Sequence, residues 1–266
     1  MEITTLIGYF GALLIGLVLG LIGGGGSILT IPILVYVFSI SPVLATAYSL
    51  FVVGSASLVG ALRNAQKGLV DFKTGLVFAI PALTTVFLIR KFLIPIIPQN
   101  LFTIGDFTLT KDVGIMVFFA IVMLLASYSM IKKRTEPVVE TEFEEEFSYL
   151  LIVLQGIGVG VLTGIVGAGG GFLIIPALVV LAKVPMKKAV ATSLMIIAIN
   201  SLLGFLGDVG NTPIDWPFLL VFTGIAIFGI FIGIYLNKFI EGPKLKKAFG
   251  WFVLIMGIYI ILKELL

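Results

Sequence analysis

A chain of 266 residues in which 59% are hydrophobic and only 12% charged, with a net charge of +3 and a mean hydropathy of +1.22, excludes an ordinary soluble domain. The absence of cysteine removes disulfides and thiolate chemistry, and the absence of histidine removes the commonest metal ligand and general base, so no cofactor or metal is expected. No G-x-x-x-x-G-K-[ST] motif occurs either, which excludes an ATP-driven pump built from this chain alone.

In chain order, the apolar runs predict ten segments, at roughly 5–22, 27–40, 43–62, 74–97, 113–131, 148–167, 172–183, 189–206, 217–236 and 247–264. Most approach the roughly 20 residues that a helix needs to cross about 30 Å of hydrocarbon, whereas barrel strands would be shorter and alternating. The first run has no basic start and no small-residue cleavage site, so it reads as a retained helix rather than a signal peptide. The fold class expected is therefore all-α, a polytopic transmembrane protein of two repeats with about five segments each. Residues 1–131 form the first repeat and 148–266 the second. Between them, KKRTEPVVETEFEEEF (132–147) holds six of the fourteen acidic residues and reads as a solvated, cytoplasmic linker.

The repeat is visible directly. Residues 20–72 align without a gap with 164–216, 144 positions on, and 18 of the 53 pairs are identical, with GLIGGGGSILTIP (20–32) matching GIVGAGGGFLIIP (164–176). The basic residues then reverse between copies. The loop after the third segment carries Arg63, Lys67 and Lys73 in the first copy, while its counterpart 207–215 carries none. The loop before that segment is uncharged at 39–42, and its counterpart carries Lys183, Lys187 and Lys188. Since lysine and arginine collect on the cytoplasmic side, the two copies are expected to lie in opposite orientations, as in an inverted repeat. Thirteen of the seventeen basic residues then lie inside, leaving Arg90, Lys91, Lys111 and Lys263 outside, and both termini face the exterior.

Gly23, Gly24, Gly25 and Gly26, and Gly167, Gly169, Gly170 and Gly171, are the candidate binding elements. Each glycine costs about 1 kcal/mol relative to alanine inside a helix, so the chain should unwind there. Close helix packing asks for spaced small residues, and these are contiguous. The segments that follow, 27–40 and 172–183, are too short to span comfortably and read as half-helices or re-entrant arms. Irregular backbone at membrane depth is tolerated only where protein or a water-filled cavity satisfies it, so the breaks should line a central cavity. The positive ends of both half-helices would then face it and favour an anion without a buried arginine. Ser27 reads as the N-cap of the first arm, with Gly171 in its place in the second.

Polar side chains on the third segments add donors: Ser49 and Ser57 in one copy, Ser193, Asn200 and Ser201 in the other, with Ser49 aligned to Ser193 and Ser57 to Ser201. The competing reading gives such serines to their own backbone or to helix contacts. Asp71 and Asp215 are aligned and directly precede apolar runs, which reads as helix capping, with a proton-coupling pair as the alternative. All acidic residues fall in loops, at segment ends or near termini, which offers no mid-membrane carboxylate relay. Arg90 and Lys91 interrupt the fourth segment and are expected to snorkel to the interface, with Arg90 a candidate for an electropositive vestibule.

The doubled motif from Gly20 to Pro32 and from Gly164 to Pro176, each followed by A-x-x-x-S-L (Ala45 to Leu50 and Ala189 to Leu194), resembles the TauE/SafE sulfite exporter family of membrane permeases. The resemblance covers nearly the whole chain. It implies a bacterial or organellar permease, expected here in the bacterial inner membrane, that moves sulfite, an organosulfonate or a related small sulfur-containing anion, often as an exporter. The expectation from the residues and the resemblance together is a carrier with its site between the repeats, partnered by the lipid bilayer and a small anion and not by nucleic acid. The competing class, an intramembrane enzyme on a lipid-linked or phosphorylated substrate, lacks an embedded nucleophile, base or metal cluster.

Overall fold

The computed structural model describes residues 3–24, 26–104, 107–131, 149–167, 169–171, 174–175, 178, 184–210, 213–237, 239 and 242–265. Among these residues, nine helices of ten residues or more follow the expected order: α1 (Ile3–Ile22), α2 (Ser27–Tyr36), α3 (Pro42–Ala65), α4 (Phe72–Leu88), α5 (Lys111–Ile131), α6 (Tyr149–Val166), α7 (Met186–Asp208), α8 (Trp216–Leu236) and α9 (Gly242–Leu265). Six described helical stretches are long and apolar enough to cross a membrane, the stretch through α4 running on to Ile96. The arm α2, at 10 residues, is about 15 Å long and is not among them. The linker 132–147 and most of the expected segment 172–183 lie outside the described residues.

The local signals act as read. Asp71 and Asp215 each cap a helix, accepting from the N–H of Thr74 and of Phe218, both at 3.1 Å, and Pro217 occupies the first turn of α8, where its missing N–H costs nothing. Two features were not expected. After Leu88 the helix widens into a π turn, Ile89–Leu93, in which the Ile94 N–H reaches back to the Ile89 carbonyl. Pro95 follows at once and has no N–H for the Lys91 carbonyl, so the ordinary ladder could not continue. The connection onward is a small antiparallel hairpin, β1 (Asn100–Ile104) with β2 (Phe107–Thr110).

The two halves interlock by exchanging equivalent partners. Helix α1 packs on α8 and α6 packs on α4, α3 crosses α7, and α5 lies against α9. In the first two pairs the helices run parallel and the same glycines make the approach. Gly16 sits on Ala226 and Gly20 on Ile230, while Gly160 sits on Ala82 and Gly164 on Ile89. Residues 16 and 160, and 82 and 226, are each 144 positions apart, so both crossings use one design. Small residues let the backbones close to van der Waals distance, the main attraction available where lipid tails are as apolar as the side chains.

The equivalent helices α3 and α7 run antiparallel: Leu50 faces Gly204, Gly54 faces Leu202, and Gly60 faces Leu194. Further ties are exchanged in the same way. The Asp71 N–H donates to Thr192 Oγ1 at 2.9 Å, and the Asp215 N–H to the Tyr48 hydroxyl at 2.6 Å, where Thr192 and Tyr48 occupy aligned positions. The arms close identically as well, with the Ile40 N–H on the Leu34 carbonyl and the Val184 N–H on the Leu178 carbonyl. Outward-facing residues such as Leu6, Phe10, Leu125, Leu150, Phe228 and Ile255 are large, apolar and exposed, as a lipid-facing surface requires.

A Cβ at Gly16 would collide with the Ala226 carbonyl, whereas a Cβ at Gly158 meets nothing within 4 Å. Overpacking of this kind costs about 1–3 kcal/mol. Gly16→Val is therefore expected to lower the thermal unfolding midpoint of the detergent-solubilised protein by several degrees, with Gly158→Val close to wild type.

Candidate functional site

Both first helices end in the same way at the glycine runs. The Gly23 N–H bonds the Leu19 carbonyl at 2.8 Å and the Gly167 N–H bonds the Thr163 carbonyl at 2.7 Å. Each glycine then takes a left-handed conformation, φ +83° at Gly23 and +73° at Gly167, which a residue with a Cβ adopts only under strain. The second run stays left-handed at Gly169 and Gly170, whereas Gly26 is already helical with φ −65°. Gly25 lies outside the described residues.

Ser27 does not cap the first arm. The N-cap is Gly26, which has no side chain to offer, and Ser27 is the first helical residue, its hydroxyl donating back to the Gly24 carbonyl at 2.8 Å. That bond satisfies a carbonyl orphaned by the break instead of an orphaned N–H. Gly171 is helical at the corresponding place in the second arm.

The two breaks meet. A Cβ on Gly24 would strike the backbone of Gly171, and a Cβ on Gly171 would strike Gly24, so main chain lies on main chain with no side chain between. They meet beneath the crossing of α3 and α7. Gly23 lies against Val190 and Ser193 of α7, Gly167 against Thr46 of α3, and Gly169 against Val53, Ile197 and Ser201, one on α3 and two on α7.

Most of the predicted polar residues gather at this crossing, fully buried. Ser49, Ser57, Ser193 and Ser201 are 0% exposed and Asn200 1%. Their bonding separates them. The Ser193 hydroxyl is committed, donating to the Val190 carbonyl at 2.8 Å and lying 3.3 Å from the Gly23 carbonyl, so it ties α7 to the first break. By contrast, Ser49 Oγ, Ser57 Oγ, Ser201 Oγ and Asn200 Oδ1 have no hydrogen-bond partner among the described residues. Leaving such groups buried and unpaired costs about 1–3 kcal/mol each, so they do not serve as scaffold.

Arg90 requires a correction. It does not snorkel: it is 0% exposed, held inside by the π turn of α4. Its Nη1 donates to Thr46 Oγ1 at 2.9 Å and lies 3.4 Å from Asp208 Oδ2. A Cβ at Gly167 would collide with its Nη2, so the guanidinium rests on the second break. Nε and Nη2 have no hydrogen-bond partner among the described residues. The arginine therefore sits at the break itself rather than in a vestibule. Asp208 is the last residue of α7, a segment end as read, but it is buried at 3% exposure.

Thr46, Thr163 and Asp208 were missed by sequence reasoning. Thr163 Oγ1 is fully buried beside Gly170 and unpartnered, and its aligned residue in the first copy is Leu19, so the repeat did not flag it. A usable signal did exist for the charged pair: aligned 144 positions apart, Arg90 stands against Ile234 and Asp208 against Asn64, charges in one copy where the other has none.

A family model described as sulfite exporter TauE/SafE matches residues 9–260. A protein of Xylella fastidiosa (strain 9a5c) described as "Probable membrane transporter protein" is 29% identical over 256 residues, 93% of this chain and 91% of that protein. "Probable membrane transporter protein YunE" of Bacillus subtilis (strain 168) is 29% identical over 272 residues, 94% of this chain and 92% of the relative. No solved structure matches.

The bonding pattern separates unpartnered hydroxyls from those committed to the scaffold. Ser201→Ala is expected to leave the unfolding midpoint unchanged or slightly raised, because it removes an unpaired buried hydroxyl, whereas Ser193→Ala should cost about 1 kcal/mol, read by thermal unfolding in detergent.

Proposed function

Because this chain belongs to the TauE/SafE sulfite exporter family, a family of membrane transporters, we propose that it carries a small sulfur oxyanion or organosulfonate, binding it where the two glycine breaks meet. The protein is an integral membrane protein and a transporter rather than an enzyme. The observation that carries the anion reading is a set of buried polar atoms with no partner among the described residues: Ser201 Oγ and Arg90 Nη2 against the second break, together with Arg90 Nε and the Ser49 and Ser57 hydroxyls on α3. Hydroxyls and guanidinium N–H groups supply donors, and a small oxyanion supplies several acceptors in one compact body. Hydroxyl contacts are weak enough to permit release.

The exchanged packing of α1 on α8 and α6 on α4, with α3 and α7 antiparallel, supports two inverted repeats, residues 1–131 and 148–266, that rock about the central crossing to expose the site alternately. In this reading the linker 132–147 is cytoplasmic, both termini are external, and the membrane is the plasma membrane of a bacterial cell. The direction consistent with the family name is export.

Two experiments test the reading. Thermal shift or calorimetry on the purified protein with sulfite, thiosulfate, methanesulfonate, sulfate and acetate at matched ionic strength should give saturable stabilisation by the sulfur anions. Joint Ser57→Ala and Ser201→Ala substitution should weaken that binding about tenfold, or about 1.4 kcal/mol. No stabilisation by any anion refutes the site. For orientation, the absence of native cysteine makes single labels clean. An impermeant maleimide should reach Val209→Cys in intact cells and Lys67→Cys only after permeabilisation; labelling of both from one side refutes the inversion.

A further inference from the structure

The two breaks differ in the charge that surrounds them. In the half that carries Gly23, the positions aligned with Thr46, Asp208 and Arg90 are Val190 (which lies against Gly23), Asn64 and Ile234, none charged. Around Gly167 they are Thr46, Asp208 and Arg90, which form a buried cluster: Nη1 of Arg90 on Thr46 Oγ1 at 2.9 Å and 3.4 Å from Asp208 Oδ2, with Nη2 against Gly167. A pair of opposite charges inside a membrane protein carries a large desolvation cost and is a functional feature by default, because an apolar pair of similar volume would serve packing as well or better.

We propose that Arg90 and Asp208 form an exchange pair: the transported anion takes the place of Asp208 on the Arg90 guanidinium, and the displaced carboxylate takes up a proton, so that one proton travels with each anion. This rests on the anion reading of the same site and adds its coupling. The geometry suits the exchange. The guanidinium presents Nε and Nη2 without partners, the two donors that an oxyanion would engage first, while Nη1 is shared by Thr46 and Asp208. Once an anion sits on Arg90, an ionised Asp208 beside it would be a second negative charge against one positive charge in a site that excludes water, and protonation removes that repulsion. The proton has a short route, since the Asp208 side chain is 5% exposed at the end of α7 and the next residue, Val209, is 45% exposed.

The balance closes. On loading, Asp208 Oδ2 gains a proton from the aqueous side as its ion pair with Arg90 opens, and the anion's oxygen accepts from the freed guanidinium. On unloading, Asp208 loses that proton to the side on which the anion leaves and pairs with Arg90 again. A monoanion thus crosses without net charge. Among the described residues, other charged groups lie on the elements next to the pair. Lys111 of α5 is buried with its Nζ on the Ile94 carbonyl, Asp112 lies 3.4 Å from Gln99 Nε2, and Lys91 is exposed over the Phe87 and Phe92 rings. Thr46 and Gly167, from α3 and the end of α6, do not titrate.

Methanesulfonate is the probe of choice because it stays ionised at every working pH, so any proton that accompanies it is held by the protein. Calorimetry of the wild-type protein across pH 5–8 should show proton uptake on binding approaching one per anion, with affinity falling about tenfold per pH unit wherever Asp208 is ionised in the protein without bound anion. Asp208→Asn should flatten that pH dependence, Asp112→Asn should keep it, and Arg90→Gln should weaken binding at least tenfold. In proteoliposomes, an inward-acid gradient should drive wild-type methanesulfonate out and fail to do so in Asp208→Asn. Wild-type binding without proton uptake would overturn the coupling while leaving the carrier intact, and needs no variant to fold. A pH slope that survives Asp208→Asn also overturns it. No binding of methanesulfonate, thiosulfate or sulfite removes the anion site and the exchange together.

Discussion

A main chain that leaves its helix inside a membrane exposes carbonyl and N–H groups that hydrocarbon cannot satisfy, and each such group costs several kcal/mol unless protein covers it. This chain leaves its helices twice, at Gly23 and at Gly167, and covers each break with the other. The cover is possible only because Gly24 and Gly171 have no side chains, so the two backbones touch. The crossing of α3 over α7 closes the other side, and the Ser27 and Ser193 hydroxyls take up carbonyls that the breaks expose. The parallel pairs, α1 with α8 and α6 with α4, hold the breaks in register through glycines seated on backbone.

An arrangement in which equivalent parts exchange partners has a physical consequence. If the two halves are equivalent, the protein has two related packings of similar energy, each obtained by giving one half the conformation of the other. A near-degenerate pair of states is what alternating access requires. Interfaces made of small residues suit this, since contacts among glycine and alanine slide with little loss of side-chain interdigitation. The charged cluster breaks the equivalence on one side only. In the proposed carrier, Arg90 and Asp208 would bias the two packings differently, and an anion bound at the pair would shift that bias.

Much of the architecture was legible because its signals are local or periodic. Hydropathy located the segments, the aspartate before each fourth segment identified its cap, and the glycine runs marked the breaks, since no other composition is comfortable at φ near +70°. The 144-residue offset also exposed the matched serines. What failed was reasoning from one segment at a time. Arg90 reads as an interfacial arginine when only α4 is considered, because its neighbours Lys91 and Pro95 resemble a helix end. Its burial depends on a π turn and on Asp208 of α7, 118 positions away in sequence. Ser27 looked like an N-cap because serine usually caps, but the helix begins at the serine itself and its hydroxyl turns back to Gly24.

The sequence by itself determined that this is a helical membrane protein, the order of its described segments, the duplication and the two points at which the helices must break, because each follows from composition, period or backbone freedom within a short window. Only the tertiary structure decided which hydroxyls are spent on scaffold and which remain unbonded, that the two breaks lie on each other, and that one of them carries a buried ion pair. Those properties depend on the distances between residues from opposite halves of the chain, and a hydrogen bond or an ion pair is made or lost within an ångström that no local pattern encodes.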